Sequence, residues 1–299
     1  MKKGLFIYGL MLTIGGKSFA QQDSITHPYQ DTVILQTTTS FAAYAPPAND
    51  NPQRIYQLKP AIDVPLTALT AAGSLWGFSK IYSKDPIPQE DILSLKKENL
   101  NVFDRWAADV YHPKAEGPSD ALFYGAMPLP LLLLVDKNIR KDAAKIGLLY
   151  LEAMSITGIA YTGSNYLVNR FRPLAYNPAV PMEERREGGS TNSFIAGHVA
   201  LVATSTFFTA KVYSDYNPDS QFKYVLWGAA IASTGATAYL RHRSGKHFPT
   251  DLLVGTAVGT LSGILVPHFH KNKLFKNPNL SVMPFTGPSH GLALTYKFQ

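Results

Sequence analysis

The stretch Leu240-Arg241-His242-Arg243-Ser244-Gly245-Lys246-His247-Phe248-Pro249-Thr250-Asp251 separates two apolar runs, Tyr224–Leu240 and Leu252–Val266. Both runs are too long for ordinary strands and are rich in Ala, Gly, Leu, Ser and Thr. Each therefore reads as a helix, with the charged stretch as the junction between them. Working outward, runs of the same kind recur at Phe194–Tyr213, Ala143–Val168, Ala121–Leu134 and Ala61–Tyr82. The pattern predicts an all-α fold with six core helices. Ala71, Ala72, Gly73, Ala229, Ala230, Gly255 and Gly259 are small enough to let such helices approach closely. Between the first two runs, Ser83–Ser119 is polar and reads as carrying one short helix around Asn101–Tyr111. At the end of the chain the periodicity changes. Leu292, Leu294, Tyr296 and Phe298 alternate along one face, Leu280–Phe285 offers a partner, and Gly287-Pro288-Ser289 is turn chemistry, so a short C-terminal β-hairpin is expected.

The composition fits this layout. Of 299 residues 45% are hydrophobic and only 16% charged, below the roughly 25% charged of an ordinary soluble domain. A chain so short of charge either touches a membrane or packs very apolar helices together. With no cysteine, disulfides, thiolate metal sites and cysteine nucleophiles are excluded. Met1–Ala20 reads as a secretory signal, with Lys2 and Lys3 before an apolar run and Ser18-Phe19-Ala20 at the cleavage spacing. Residues 21–58 follow as a polar linker, with Thr32–Thr37 as one candidate strand. A helical domain over 59–273 and the strand tail 274–299 complete the organisation. Removing the signal leaves 25 basic residues against 21 acidic, and the formal charge falls from +7 to +4. No arginine-rich run or aromatic RNA-binding motif accompanies that charge, so nucleic acid is not an expected partner. The chain reads as exported, periplasmic or membrane-associated. A bundle that does not span the membrane is preferred, because a cleaved signal followed by three spans would turn the motifs below toward the cytoplasm.

Three stretches at helix ends carry the chemistry: Asn169-Arg170-Phe171-Arg172-Pro173, Ser193–His198 and Arg241–Asp251. Arg172, Arg241 and Lys246 supply fixed positive charge and forked donors suited to a phosphate. Gly197 lets backbone N–H groups approach an anion at a helix start. His247 and Asp251 are four residues apart, so the carboxylate is expected to hold the imidazole Nδ1–H and leave Nε2 free to attack. His198 is a second imidazole, placed to protonate a leaving oxygen. His268 and His270 have no third ligand nearby and read as a helix C-terminus; no metal site and no cofactor are expected.

These residues resemble the motifs of the type 2 phosphatidic-acid phosphatase superfamily, which also includes bacterial acid phosphatases and vanadium haloperoxidases. The family pattern K-x6-R-P, P-S-G-H and S-R-x5-H-x3-D is similar to Asn165…Arg172-Pro173, Ile195-Ala196-Gly197-His198 and Leu240-Arg241…His247…Asp251. The resemblance covers roughly Ala61 to His270 and implies a six-helix core of that type. It implies that His247 forms a phosphohistidine, that Asp251 orients it, that His198 is the acid, and that Arg172 and Arg241 bind phosphate. Asn165 stands where the family has lysine, and Ala196 and Leu240 where it has serine. Each lost donor to a charged oxygen is worth about 1.5–3 kcal/mol, so attenuation of roughly ten- to hundredfold is expected per position. Arg170, Arg185 and Arg186 are candidates to replace the missing lysine charge. The expectation is a metal-independent phosphatase acting on a phosphorylated lipid or small phosphate ester, with membrane association left open. The alternatives are a non-catalytic phosphate- or lipid-binding relative with a degenerate site, and a vanadium-dependent haloperoxidase.

Overall fold

Pro60 and Pro249 each open a long helix at a position where a missing N–H costs nothing. The computed structural model describes residues 55–271 and the backbone of 280–286 and 290–296. Its principal helices are α1 (Pro60–Tyr82), α2 (Glu116–Ala126), α3 (Ala143–Val168), α4 (Gly197–Tyr216), α5 (Phe222–Arg243) and α6 (Pro249–Phe269). Shorter helical turns lie between them, among them Val102–Arg105, which continues as a 3-10 turn to Asp109. The expected signal, the candidate strand Thr32–Thr37 and most of the polar linker lie outside the described residues.

Five of the six apolar runs form single helices. Ala121–Leu134 does not: α2 ends at Ala126, and the chain continues as a 3-10 helix, Leu129–Val135. Pro128 and Pro130 sit at this junction, each without an N–H to donate to an α-helical ladder. A count of six continuous helices is therefore corrected to five long helices and one broken one among the described residues. The described chain begins in contact with the bundle. Tyr56 is fully buried, its hydroxyl donates to Asp215 Oδ2 at 2.7 Å, and Gln57 N donates to the His270 carbonyl at 2.8 Å. Near the C-terminus, Leu280–Thr286 and His290–Tyr296 pair antiparallel, with Phe285 opposite Gly291.

Helix α4 is the axis of the bundle, and every residue from Val199 to Val212 is buried. Its hydroxyls are satisfied inside the protein: Thr204 Oγ1 donates to the Ala200 carbonyl at 2.8 Å, and Ser205 Oγ to the Ala126 carbonyl at 2.5 Å. Helix α6 lies against α4 along Gly255, Gly259 and Gly263, one glycine per turn. A Cβ on Gly255 would stand 2.7 Å from the Ala196 carbonyl oxygen, so this approach requires glycine. The outward faces are apolar. Leu69 is 72% exposed, Leu167 81%, Ile231 64% and Leu253 71%. Pro113–Val135, Ala143–Tyr176 and Pro249–Phe269 are long and apolar enough to cross a membrane. Polar hydroxyls inside and bare aliphatics outside fit association with a membrane.

Candidate active site

The C-terminal ends of α3 and α5 and the N-terminal ends of α4 and α6 converge at one end of the bundle. Asn169, in the left-handed region at φ 47°, stops α3 and turns the chain toward Arg170 and Arg172. Gly245, at φ 72°, turns the chain between α5 and α6. A Cβ there would lie 2.9 Å from the Val110 carbonyl oxygen, and Leu174 N donates to the Gly245 carbonyl at 3.0 Å. This pinned turn delivers Lys246 and His247.

His247 is buried at 2% exposure, and its Nδ1 lies 2.8 Å from the Ser193 backbone carbonyl. A carbonyl only accepts, so Nδ1 carries the proton and Nε2 keeps its lone pair. This corrects the role expected of Asp251. Its carboxylate does not reach His247; it accepts from Ser193 Oγ (2.6 Å), Phe248 N (2.9 Å) and Arg170 Nη1 (2.5 Å). Asp251 thus bears on His247 at one remove, through the residue whose carbonyl holds the ring. Burial pushes the Asp251 carboxyl up, against the Ser193 bond and the Arg170 charge.

Arg170 is likewise committed. It pairs with Asp104 Oδ2 at 2.7 Å and with Asp251, donates to Thr250 Oγ1 at 2.9 Å, and covers the Phe248 ring at 4.4 Å. It braces the start of α6 and does not supply free charge to the cradle. Arg185 and Arg186 are no closer to that task, since their Nε atoms donate to the Ala175 and Ile87 carbonyls at 3.0 and 2.8 Å. The cation beside the first motif is Lys84, whose Nζ lies 2.7 Å from Asn169 Oδ1, 3.1 Å from Thr191 Oγ1 and 3.5 Å from the Asn165 carbonyl. Asn165 is fully buried; its Nδ2 donates to the Tyr161 carbonyl at 2.8 Å, and its Oδ1 has no partner.

The remaining residues face one another across the junction. His198 Nε2 lies 3.4 Å from Asp120 Oδ1, and its ring centroid is 4.5 Å from that of Phe123. Arg241 pairs with Asp120 and stands 3.7 Å from Glu116. Lys246 Nζ lies 3.2 Å from Glu116 and 3.7 Å from Glu184. Gly197 starts α4 against the Tyr161 ring. Ala196 is buried with Val199 and Leu252, an apolar setting that offers no donor. The buried Nε atoms of Arg172 and Arg241 have no hydrogen-bond partner. Both imidazoles register this positive field. Burial, then Arg241, Arg172 and Lys246, pull His198 down to about 3; burial, then Arg172 and Arg241, push His247 well below its ordinary value. The sequence pattern gave no sign of Asp120, Glu116 and Lys84, and it gave Ser193, though inside the second stretch, no role. Three of these come from segments distant in sequence, and the fourth acts through a carbonyl that every residue possesses.

Residues 146–275 match the family model described as PAP2 superfamily, a span that contains all three motifs. No curated protein and no solved structure matches the chain.

Proposed function

Because the chain belongs to the PAP2 superfamily through residues 146–275, we propose that it is a metal-independent phosphatase. It hydrolyses a phosphomonoester or diphosphate, a lipid phosphate in preference, through a phosphohistidine on His247. The observation that carries this reading is the pair of buried, unpartnered guanidinium Nε donors beside two imidazoles depressed by burial and, after it, by the neighbouring cations. A dianion answers both features, since it accepts from the free donors and offsets the field.

In the first step His247 Nε2 attacks phosphorus and the bond to the leaving oxygen breaks. Arg172 and Arg241 hold the non-bridging oxygens, and His198 donates a proton to the leaving oxygen. The dianion raises the affinity of His198 for that proton. In the second step neutral His198 takes a proton from water, which displaces His247 from phosphorus and releases phosphate. Asn165 and Ala196 each withhold one donor, so turnover is slower than the full motif would give. The apolar outer faces favour a membrane-associated enzyme and an amphiphilic substrate.

The test is His247→Ala assayed on an aryl phosphate, beside far-ultraviolet circular dichroism. Loss of turnover with helical content unchanged is expected. Full turnover in that variant would sink the mechanism, and vanadate binding without hydrolysis by the wild type would identify a degenerate binding relative.

A further inference from the structure

Tyr161 lies on α3, one turn before Asn165. It is buried, and its ring packs against the first residue of α4: a Cβ on Gly197 would stand 2.6 Å from Tyr161 Cε2 and 2.7 Å from its Cζ. The hydroxyl, one bond beyond Cζ, therefore lies beside the N-terminus of α4, where the N–H groups of a first turn and the helix dipole favour an anion. Phe78 packs on the same ring at 5.6 Å between centroids, and Ile81 and Ile195 belong to the same buried cluster. Packing thus fixes where the hydroxyl points.

The protein satisfies that hydroxyl poorly. Among the described residues its one side-chain hydrogen-bond contact is Tyr82 Oη at 3.4 Å, beyond the roughly 2.5–3.0 Å of a good O–H···O bond. Burial, then Tyr82, push the proton affinity of the phenol up, so it stays a donor, while Arg172 and Arg241 pull it down. The same two arginines act on His198 and His247, and their buried Nε atoms lack partners. Tyr161 therefore faces the site from the α3 side. Two charged donors and one neutral donor border the same junction, and among the described residues no carboxylate is bonded to the neutral one.

We infer that the Tyr161 hydroxyl is a further phosphate-binding donor of this site, donating to a non-bridging oxygen beside Arg172 and Arg241. The inference rests on the phosphatase reading above for its substrate, and on the anion site alone for its geometry. Tyr161 supplies a neutral donor where Asn165 and Ala196 withhold theirs. The long contact to Tyr82 is no rival for its proton, because a hydrogen bond to an anionic oxygen is shorter and stronger than one between two phenols.

The experiment uses the full chain in detergent. It measures vanadate binding by calorimetry, beside hydrolysis of an aryl phosphate, in wild type, Tyr161→Phe and Tyr82→Phe. Both variants delete the contact between the two tyrosine hydroxyls, and only Tyr161→Phe deletes the donor that faces the arginines. Its phenylalanine keeps the ring on Gly197, so the packing is spared. Tyr161→Phe is expected to bind vanadate about ten- to hundredfold more weakly, the worth of a hydrogen bond to a charged group, and to lose kcat/KM by the same order. Tyr82→Phe is expected to stay within about threefold of wild type in both assays, because the contact it loses is long and neutral. Equal vanadate affinity in wild type and Tyr161→Phe would overturn the assignment. So would equal weakening in both variants, which would mark a contact that is merely structural. If wild type binds vanadate and hydrolyses nothing, the phosphatase reading fails, and weaker binding by Tyr161→Phe still supports the donor. If wild type binds no vanadate, both readings fall.

Discussion

Replacing Asp251 with asparagine separates two ways of orienting a nucleophilic histidine. Where a carboxylate itself holds the Nδ1–H, exchanging it for an amide allows the wrong tautomer and costs about ten-thousandfold in kcat. Here the Nδ1–H donates to the Ser193 carbonyl at 2.8 Å, and Asp251 reaches only the Ser193 hydroxyl, the Phe248 N–H and Arg170. A backbone carbonyl cannot become a donor, so the tautomer survives the substitution. What is lost is one acceptor and the charge opposite Arg170. A hydrogen bond to a charged group contributes about 1.5–3 kcal/mol. Arg170 retains Asp104 at 2.7 Å, so the cost stays below the roughly 3–5 kcal/mol of a buried ion deprived of its partner. Asp251→Asn should therefore lose about 2–3 kcal/mol of stability in urea. At a temperature where the variant is folded, kcat on an aryl phosphate should fall by only about tenfold, the margin assigned to looser placement of Ser193. Nitrogen-15 spectra of the histidine side chains should report the Nδ1–H tautomer in both proteins. A ten-thousandfold loss in a folded variant, or an Nε2–H signal from His247, would refute this argument.

Three further outcomes follow from the same geometry. His198 and His247 are held below the ordinary 6.5 in the folded state, while the unfolded chain binds protons at both as pH falls through that value. Their contribution to stability is thus present above pH 6.5 and lost below it, at up to about 1.4 kcal/mol per pH unit per histidine; Tm should drop between pH 7 and 5, phosphate should flatten the drop, and a level profile without phosphate would contradict the burial of both imidazoles in neutral form. Asp120→Asn removes a half-exposed carboxylate competing for Arg241, so inhibition by vanadate should tighten about threefold, the scale of an exposed ion pair, and an unchanged or weaker inhibition constant would count against an anion site beside Arg241. Gly245→Ala forces a Cβ into the left-handed region and to 2.9 Å from the Val110 carbonyl; a loss of at least about 1–2 kcal/mol in urea, with reduced kcat, is expected, and wild-type behaviour in both assays would show that the turn is not pinned as described.

The candidate site was legible in the sequence because its residues lie at helix ends, where spacing along the chain is also spacing in the fold. Arg241, His247 and Asp251 are brought near one another by a single turn, and Pro173 and Pro249 announce helix starts on either side. The break in the second helix has a sequence signal too, since Pro128 and Pro130 are helix breakers, but the continuous apolar run around them masks it. Other features left no local trace. Asp120 opens an apolar segment and looks like an ordinary surface carboxylate until α2 sets it against α5, 121 residues further along the chain. Lys84 lies 85 residues from the asparagine it meets. Which faces of the helices are buried was equally hidden. Helix α4 is enclosed on every side and holds threonines and serines, while its neighbours turn leucine and isoleucine outward. Neither arrangement produces the apolar stripe on which helical periodicity depends. That inversion bears on function as well as on legibility: a bundle that places its hydroxyls inside and its aliphatics outside is matched to association with a membrane.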